Sequence, residues 1–599
     1  MKTKTRSWLI LASALTFVAG CGGGNGGDDG RTDTDGTGDL PADDVAETAP
    51  DVPSEDGADV PADVPADDAP DTAETPTVTL SADPGTVPPG GTSTLSWSSQ
   101  DADACSASGG WSGSKATSGS EAVGPLSATT DFTLTCTGPG GSAAQTATVT
   151  VTGGAEATLW VNGATGSDTH SRAQIAAGGG SLQWATIGRA AWGSTDRLAP
   201  NPDEAAQPGD VVSIAAGTYN TGGTSSRNVV AYNPANSGTA TDPITFQADG
   251  TVILGWSDAA PGPLIGADSG RDYIVWRGFT ITEDLAHWAA DTGPVYLGTN
   301  HCMIDRCVIH GGGTAADDNH CGVRIEGGRY PDVPTQTTGN VVSNCIIDNF
   351  FTTNNVTNGT GIMTYDTVDF VLEHNEIYNC GSGINLKHGQ DLHGTVRYNT
   401  IHDTTGVGIR YANSPVTQVL PTFIHQNLLV STGAAGIQIG GGAPVLAKVV
   451  NNTIVDGTWG VYVRTLPSDA VDHEVWNNII ADGTEHSAVF ESATYLSTGV
   501  GFEHNGYHGS PFDIDVTGGG GNMTLSTWQT TYGHDSATPA SDTADPAFVD
   551  PSAGDYHLQA ESPARDAAVD LLDLDGDGST TDLIHRGCYA TGTEVMGPP

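Results

Sequence analysis

The sequence predicts an all-β protein whose main body is a stack of parallel strands wound from one repeating coil. Three observations carry this. Asn-x-(Ile/Leu) recurs at Asn344, Asn375, Asn399, Asn427, Asn452 and Asn478, with spacings of 31, 24, 28, 25 and 26 residues, the period of a solenoid. Each asparagine leads into a short apolar strand and a polar turn, so stacked coils place equivalent amides above one another, where they can hydrogen-bond along the axis. A second strand runs in step from Gly322, Gly361, Gly383, Gly408, Gly436 and Gly460, reading GVRIE, GIMTY, GINLK, GIRYA, GIQIG and GVYVR.

Taken from the N-terminus, the chain opens MKTKTRSWLILASALTFVAGC. Lys2, Lys4 and Arg6 form a basic start, and residues 8–18 an apolar run too short to span a bilayer permanently. Val18-Ala19-Gly20-Cys21 resembles a bacterial lipobox. That resemblance implies a signal peptide over 1–20 and a lipid on the Cys21 sulfur, so a secreted protein anchored at the cell envelope or surface, with the outer membrane as partner. Residues 22–77 carry 17 Asp/Glu against one basic residue, Arg31. With little to bury and much self-repulsion, the segment 21–77 reads as a disordered acidic tether.

Residues 78–152 alternate Thr, Val and Ser between Pro-Gly and Gly-Gly turns, as in TLSADPGTVPPGGTSTLSWSS and TLTCTGPGGSAAQTATVTVTG, which reads as a small β-sandwich with Trp97, Cys105 and Cys136 in its core. Cys105 and Cys136 fall in this one segment and are the expected disulfide. The module resembles Ig-like domains of bacterial surface proteins, which implies spacing more than binding. Lys115, in its SGSKATSG loop, is expected as a solvated charge.

The full chain has 71 acidic and 21 basic residues, a net charge of −50, and residues 78–599 alone carry 54 against 17. So acidic a body argues against nucleic acid or an anionic membrane surface as partner. Cys302, Cys307, Cys321, Cys345, Cys380 and Cys588 show no zinc spacing and read as buried thiols or bridges between coils. A monomer is expected.

Residues 156–599 begin with LWVNGATGSD, WATIGRAAW and QPGDVVSIAAGTY. This opening resembles that of pectate-lyase-like proteins, which implies a right-handed parallel β-helix with a short amphipathic helix over its first coil and a cap at its C-terminus. Along each Gly-led strand the second and fourth residues share a face. Those pairs are Val323/Ile325, Ile362/Thr364, Ile384/Leu386, Ile409/Tyr411, Ile437/Ile439 and Val461/Val463, and they fill the interior.

The third and fifth residues then point outward: Arg324/Glu326, Met363/Tyr365, Asn385/Lys387, Arg410/Ala412, Gln438/Gly440 and Tyr462/Arg464. Four cations on one face of an acidic body read as a groove for an acidic polysaccharide, or else as a solvated sheet face. A uronate chain can be cut by β-elimination, which needs the carboxylate neutralised and a base for the α-proton. Lys387 is the candidate base, with Arg410 disfavouring its ammonium form and His388 the next choice. Arg324, Glu326, Tyr365, Asn385, Gln438, Tyr462 and Arg464 are the candidate substrate contacts. An outward Lys387 is expected to contribute little to packing.

The alginate lyase and chondroitinase B group, which the chain resembles in part, has a Lys followed about one coil later by an Arg, with calcium on nearby acidic side chains. Arg410 follows Lys387 by 23 residues but sits two places earlier in its strand. Calcium candidates are Asp317 and Asp318 beside Glu326, and Asp573, Asp575 and Asp577 in DLDGDGSTTD, whose twelfth position is Ile584 in place of a bidentate Glu. Asp366 and Asp369 could serve a glycoside hydrolase. A non-catalytic adhesive or glycan-binding protein is the remaining class.

Overall fold

The computed structural model describes residues 75–598, except 88–90, 127–129, 152–156, 223–228, 258–261, 269, 286–292, 317–318, 329–335, 354–355, 388–391, 413–419, 441–445, 465–472, 484, 497–498, 510–513, 517–519, 575–578 and 593. The leader, Cys21 and the tether up to residue 74 therefore lie outside the described residues.

Residues 77–151 form two small, mainly antiparallel sheets. One holds Thr77–Asp83, Gly91–Gln100 and Ser118–Leu126; the other is built on Ala104–Gly109, Thr130–Gly138 and Gly141–Val151. Their alternation puts Leu95, Trp97, Phe132, Leu134, Cys136 and Val149 into one apolar cluster. Cys105 and Cys136 are cross-strand partners and are disulfide-bonded. Lys115 is not a solvated charge: its ammonium lies 4.8 Å from the Trp111 ring centroid and pairs with Glu121.

The rest is a parallel β-solenoid. Eight consecutive coils run from Met303 to Val516, each with a first, a second and a third strand; in the fourth coil these are His393–Arg397, Thr400–Thr404 and Ile409–Ala412. Every strand pairs in parallel with its equivalent in the next coil, as Ile384 does with Ile362 before it and Ile409 after it. Inward residues of all three stacks merge in a single core that includes Val323, Ile362, Leu386, Tyr411, Ile439 and Val463. At one end the helices Arg172–Gly178 and Ile187–Trp192 add Ile175, Ile187 and Ala190 to that core. The first helix starts at a reciprocal cap between Ser171 and Gln174. At the other end the fully buried Trp528 packs on Phe490 and Phe502.

The last residues do more than close the stack. Phe548, Tyr556, Cys588 and Tyr589 pack on Leu428, Val455, Ile479 and Ala481 of the second strands. The tail runs back along the coils, Gly587 N donating to Asn477 O at 2.9 Å and Gly597 N to Tyr398 O at 2.8 Å.

The asparagine ladder lies between first and second strands. Asn375, Asn399, Asn427, Asn452, Asn478 and Asn505 are buried, each Nδ2 donating to the next Oδ1 at 2.9–3.1 Å. The chain ends on Asp535, which accepts from Asn505 Nδ2 at 2.9 Å. Each ladder residue follows one with positive φ, among them Asn344, His374, Tyr398, Gln426, Asn451 and Asn477. The amides satisfy backbone groups that this tight turn leaves over. Asn344 is thus one residue out of register, and its slot belongs to Cys345. The thiol copies the amide, with Sγ 3.2 Å from Ser343 O and 3.7 Å from Ile304 O, as Asn452 Nδ2 reaches Val450 O and Ile424 O. All six of these cysteines are free and buried.

Two histidines tie this core to pH. His473 Nδ1 accepts from Ala447 N at 3.0 Å while its Nε2 is buried without a partner, and His425 is also buried. Burial lowers both to about 4. An unfolded histidine titrates near 6.5, so the unfolded chain binds protons first as pH falls. Stability is therefore complete above about 6.5 and declines toward about 4, by up to about 3 kcal/mol per histidine. Urea midpoints should fall steadily between those pH values, and His425→Gln should flatten the decline.

Candidate functional site

The third strands form the sheet on which the outward candidates meet. Cross-strand register aligns Arg324, Met363, Asn385, Arg410, Gln438 and Tyr462 in one row. A parallel row, two residues on in each strand, begins with Glu326 and Tyr365 and pairs Lys387 with Ala412. Arg410 is thus opposite Asn385 and diagonal to Lys387.

Most of these residues are not solvated. Arg324, Glu326, Tyr365, Asn385, Lys387 and Gln438 are buried. The turns leading into two earlier third strands reach over them: Lys387 Nζ donates to Asn319 Oδ1 at 3.0 Å and to Asn358 Oδ1 at 2.7 Å, and Asn385 Nδ2 to Thr357 O at 2.7 Å. Lys387, 7% exposed, also lies 5.3 Å from the Tyr365 ring centroid. Each of these contacts is one that an ammonium makes. The expectation that Lys387 is unimportant for packing is therefore corrected: it pins two turns from below.

Upstream the charges are paired. Arg324 is bidentate to Glu326, Nε–Oε2 and Nη2–Oε1 both 3.0 Å, and its guanidinium is 4.8 Å from the Tyr365 ring centroid. Burial opposes the Arg324 charge, but the Glu326 carboxylate, two residues along the same strand, holds its pKa above the usual arginine value. Tyr365 OH donates to Asn319 Oδ1 at 3.2 Å. Beneath them His320 Nε2 meets Glu283 Oε2 at 2.5 Å and Nδ1 meets Phe351 O at 2.9 Å, both side chains buried. Burial pushes the neighbouring Cys321 thiol up to about 12, so it is no nucleophile. Asn319, Asn358, Glu283 and His320 were not singled out by the sequence.

Downstream the face opens. Arg410, Tyr462 and Arg464 are half-buried. Arg410 Nη1 donates to Asn385 Oδ1 at 3.3 Å, and no carboxylate pairs with it among the described residues. Burial first and the Arg464 charge second lower its pKa. Arg464 Nε is 3.5 Å from Glu491 Oε1. Burial raises the Tyr462 pKa, with Glu491 adding to it. Trp459, also missed, lies at 5.3 Å from Tyr462 between ring centroids.

The other candidates fall elsewhere. His388, Asp317, Asp318, Asp575 and Asp577 lie outside the described residues. Both Glu326 oxygens accept from Arg324. No group of three metal-ligating side chains occurs among the described residues, Asp573 included. Asp369 belongs to the first-strand stack, bonded to Thr338 and His393, and Asp366 to the turn before it. They do not form a carboxylate pair on the third-strand face.

Residues 276–454 match a protein family described as "Right handed beta helix region". Over that span the parallel β-solenoid is matched by a model of right-handed β-helices. No curated protein matches the chain. Among solved structures it is similar to one described as a glycoside hydrolase, with 10% identity over 60% of this chain and 94% of that one, TM-score 0.36. It is similar to a polysaccharide lyase of family 6 from Pseudopedobacter saltans, 13% identical over 60% and 94%, TM-score 0.35. A third is a mannuronic acid specific family 6 lyase from human gut microbiota, 17% identical over 52% and 78%, TM-score 0.30. At these scores the likenesses assign no activity to this chain.

Proposed function

We propose that this chain is a secreted, lipid-anchored polysaccharide lyase that cleaves uronate-containing polysaccharide by β-elimination on the third-strand sheet, where its open part meets the covered strand that carries Lys387. The observation that carries the reading is Arg410. In a chain of net charge −50, this half-buried guanidinium has no described carboxylate and sits in a row of amide and aromatic side chains. Burying a charge without a partner is costly, and an anionic sugar supplies that partner. On this face Glu326 is spent on Arg324, Glu491 lies against Arg464 and Glu485 accepts from Trp459; their engagement supports elimination over hydrolysis, which needs two available carboxyl groups.

In this reading Arg410 and Arg464 neutralise the uronate carboxylate and make its α-proton acidic. Lys387 takes that proton, a carbon–carbon double bond forms, and the glycosidic oxygen leaves with a proton from solvent. Lys387 acts only once its ammonium, ordinarily lost near about pH 10.4, has given up a proton, which its bonds to Asn319 and Asn358 oppose. Activity is therefore placed on the alkaline side of neutrality. Trp459 and Tyr462 offer rings for sugar contact. The two N-terminal sheets serve as an Ig-like spacer, and the tether and lipidated Cys21 hold the enzyme at the outer membrane.

The engaged ammonium of Lys387 favours a second reading, glycan binding without cleavage. Incubation with alginate, pectate and glycosaminoglycans separates the classes. New near-UV absorbance from unsaturated ends is the expected result. New reducing sugar without absorbance would indicate hydrolysis, and retention without either would indicate binding alone.

A further inference from the structure

Gln438 stands between Arg410 and Tyr462 in the register of the third-strand sheet. Its chain neighbours Ile437 and Ile439 fill the core, so its side chain leaves the sheet on the outward side. It is 4% exposed, while the longer side chains flanking it are half-buried, and its Nε2 is buried without a hydrogen-bond partner. An amide nitrogen left so is a net cost to the free protein, because its N–H groups gave up water and gained no acceptor. One strand spacing away, about 4.8 Å, the Arg410 guanidinium has a single described hydrogen bond and no described carboxylate. Two adjacent sets of N–H donors thus face the same side with acceptors wanting.

We infer that Gln438 and Arg410 together grip one carboxylate of an acidic sugar, Arg410 taking one oxygen and the Gln438 amide the other. The inference rests on the function proposed above and adds to it a residue that sets specificity. A carboxylate presents two oxygens on one planar carbon, which suits two donors on neighbouring strands. A neutral hydroxymethyl group in its place brings no charge for Arg410 and only one oxygen. The cost of the orphaned amide in the free protein is recovered when the acidic sugar binds, so Gln438 discriminates by what it lacks alone.

The test is equilibrium binding of pectate- and alginate-derived oligosaccharides, and of their carboxyl-reduced counterparts, at about pH 6, where an amine base is protonated and turnover is suppressed. Gln438→Leu should melt at or above the parent's temperature, since it removes an unpaired buried donor. It should bind the uronate ligand about tenfold more weakly or worse, and Gln438→Glu weaker still. Carboxyl-reduced ligands should bind parent and Gln438→Leu equally poorly. Unchanged uronate affinity in Gln438→Leu, with affinity lost in Arg410→Ala, would overturn this inference and leave the proposed function standing. A melting temperature well below the parent's in Gln438→Leu would also overturn it, by making the amide structural. A parent protein that binds no acidic oligosaccharide would remove the functional reading itself.

Discussion

Lys387→Ala should abolish measurable turnover and, unlike an exposed lysine, also lower stability. A positioned base contributes roughly 10²–10⁴-fold, so the loss should reach at least that range. The stability effect has a separate origin. Removing the ammonium leaves the Asn319 and Asn358 carbonyl oxygens, now 3.0 and 2.7 Å from Nζ, without that donor. Each such loss costs roughly 1–3 kcal/mol where the group stays buried. The two effects separate in Asn358→Ala, which keeps the amine but takes away an acceptor of its charged form. Its rate should persist, with the acid limb of the pH profile moved down. Arg410→Ala should slow turnover and leave that limb in place, because Arg410 acts on the substrate carboxylate. A limb moved by Asn358→Ala and left in place by Arg410→Ala, read from initial rates across pH, is the signature of Lys387 as base. A clamp with no chemical role leaves the limb in place in both.

Gly383→Ala should be among the most damaging single substitutions in the solenoid. A β-carbon there would lie 2.5 Å from Ile401 Cγ2 and 2.6 Å from Gly408 O. The same crowding recurs up the stack, Gly361 against Ile377 and Gly436 against Ile454, each at 2.4 Å. The third strand starts so close to the second-strand aliphatics that only a hydrogen fits. Overpacking of this kind costs roughly 1–3 kcal/mol, and here the obstructing carbonyl cannot rotate away. Denaturant titration should show the loss, and Ile401→Ala in the same chain should recover part of it. Coupling near zero between the two substitutions would place the strain elsewhere.

That glycine stack shows how the sequence carried the fold. Its spacing located the third strands, and alternation of Ile384 and Leu386 with Asn385 and Lys387 set which side faced the core. The reason for glycine, an isoleucine 16 to 18 residues further along the chain, was not local. The ladder slipped at Ser343-Asn344-Cys345-Ile346-Ile347 because two isoleucines let the motif fit in either of two registers. Asn505 escaped because Gly506-Tyr507 follows it in place of an aliphatic strand. Burial of the outward face was beyond reach for a different reason. Its covering groups come from Asn319 and Asn358, 68 and 29 residues from Lys387, and no periodicity links a turn to a strand one or two coils away. Alternation tells which face a side chain takes; it does not tell what else will lie on that face.

The most direct test of the central claim, that the third-strand face carries out β-elimination on an acidic polysaccharide, is a near-UV time course on a uronate polymer with parent, Lys387→Ala and Arg410→Ala side by side, each shown to be folded by circular dichroism. Absorbance from unsaturated ends should rise with the parent at alkaline pH, stay flat with Lys387→Ala, and rise only slowly with Arg410→Ala. Equal absorbance from all three, or reducing ends released by the parent with no absorbance, would contradict the account.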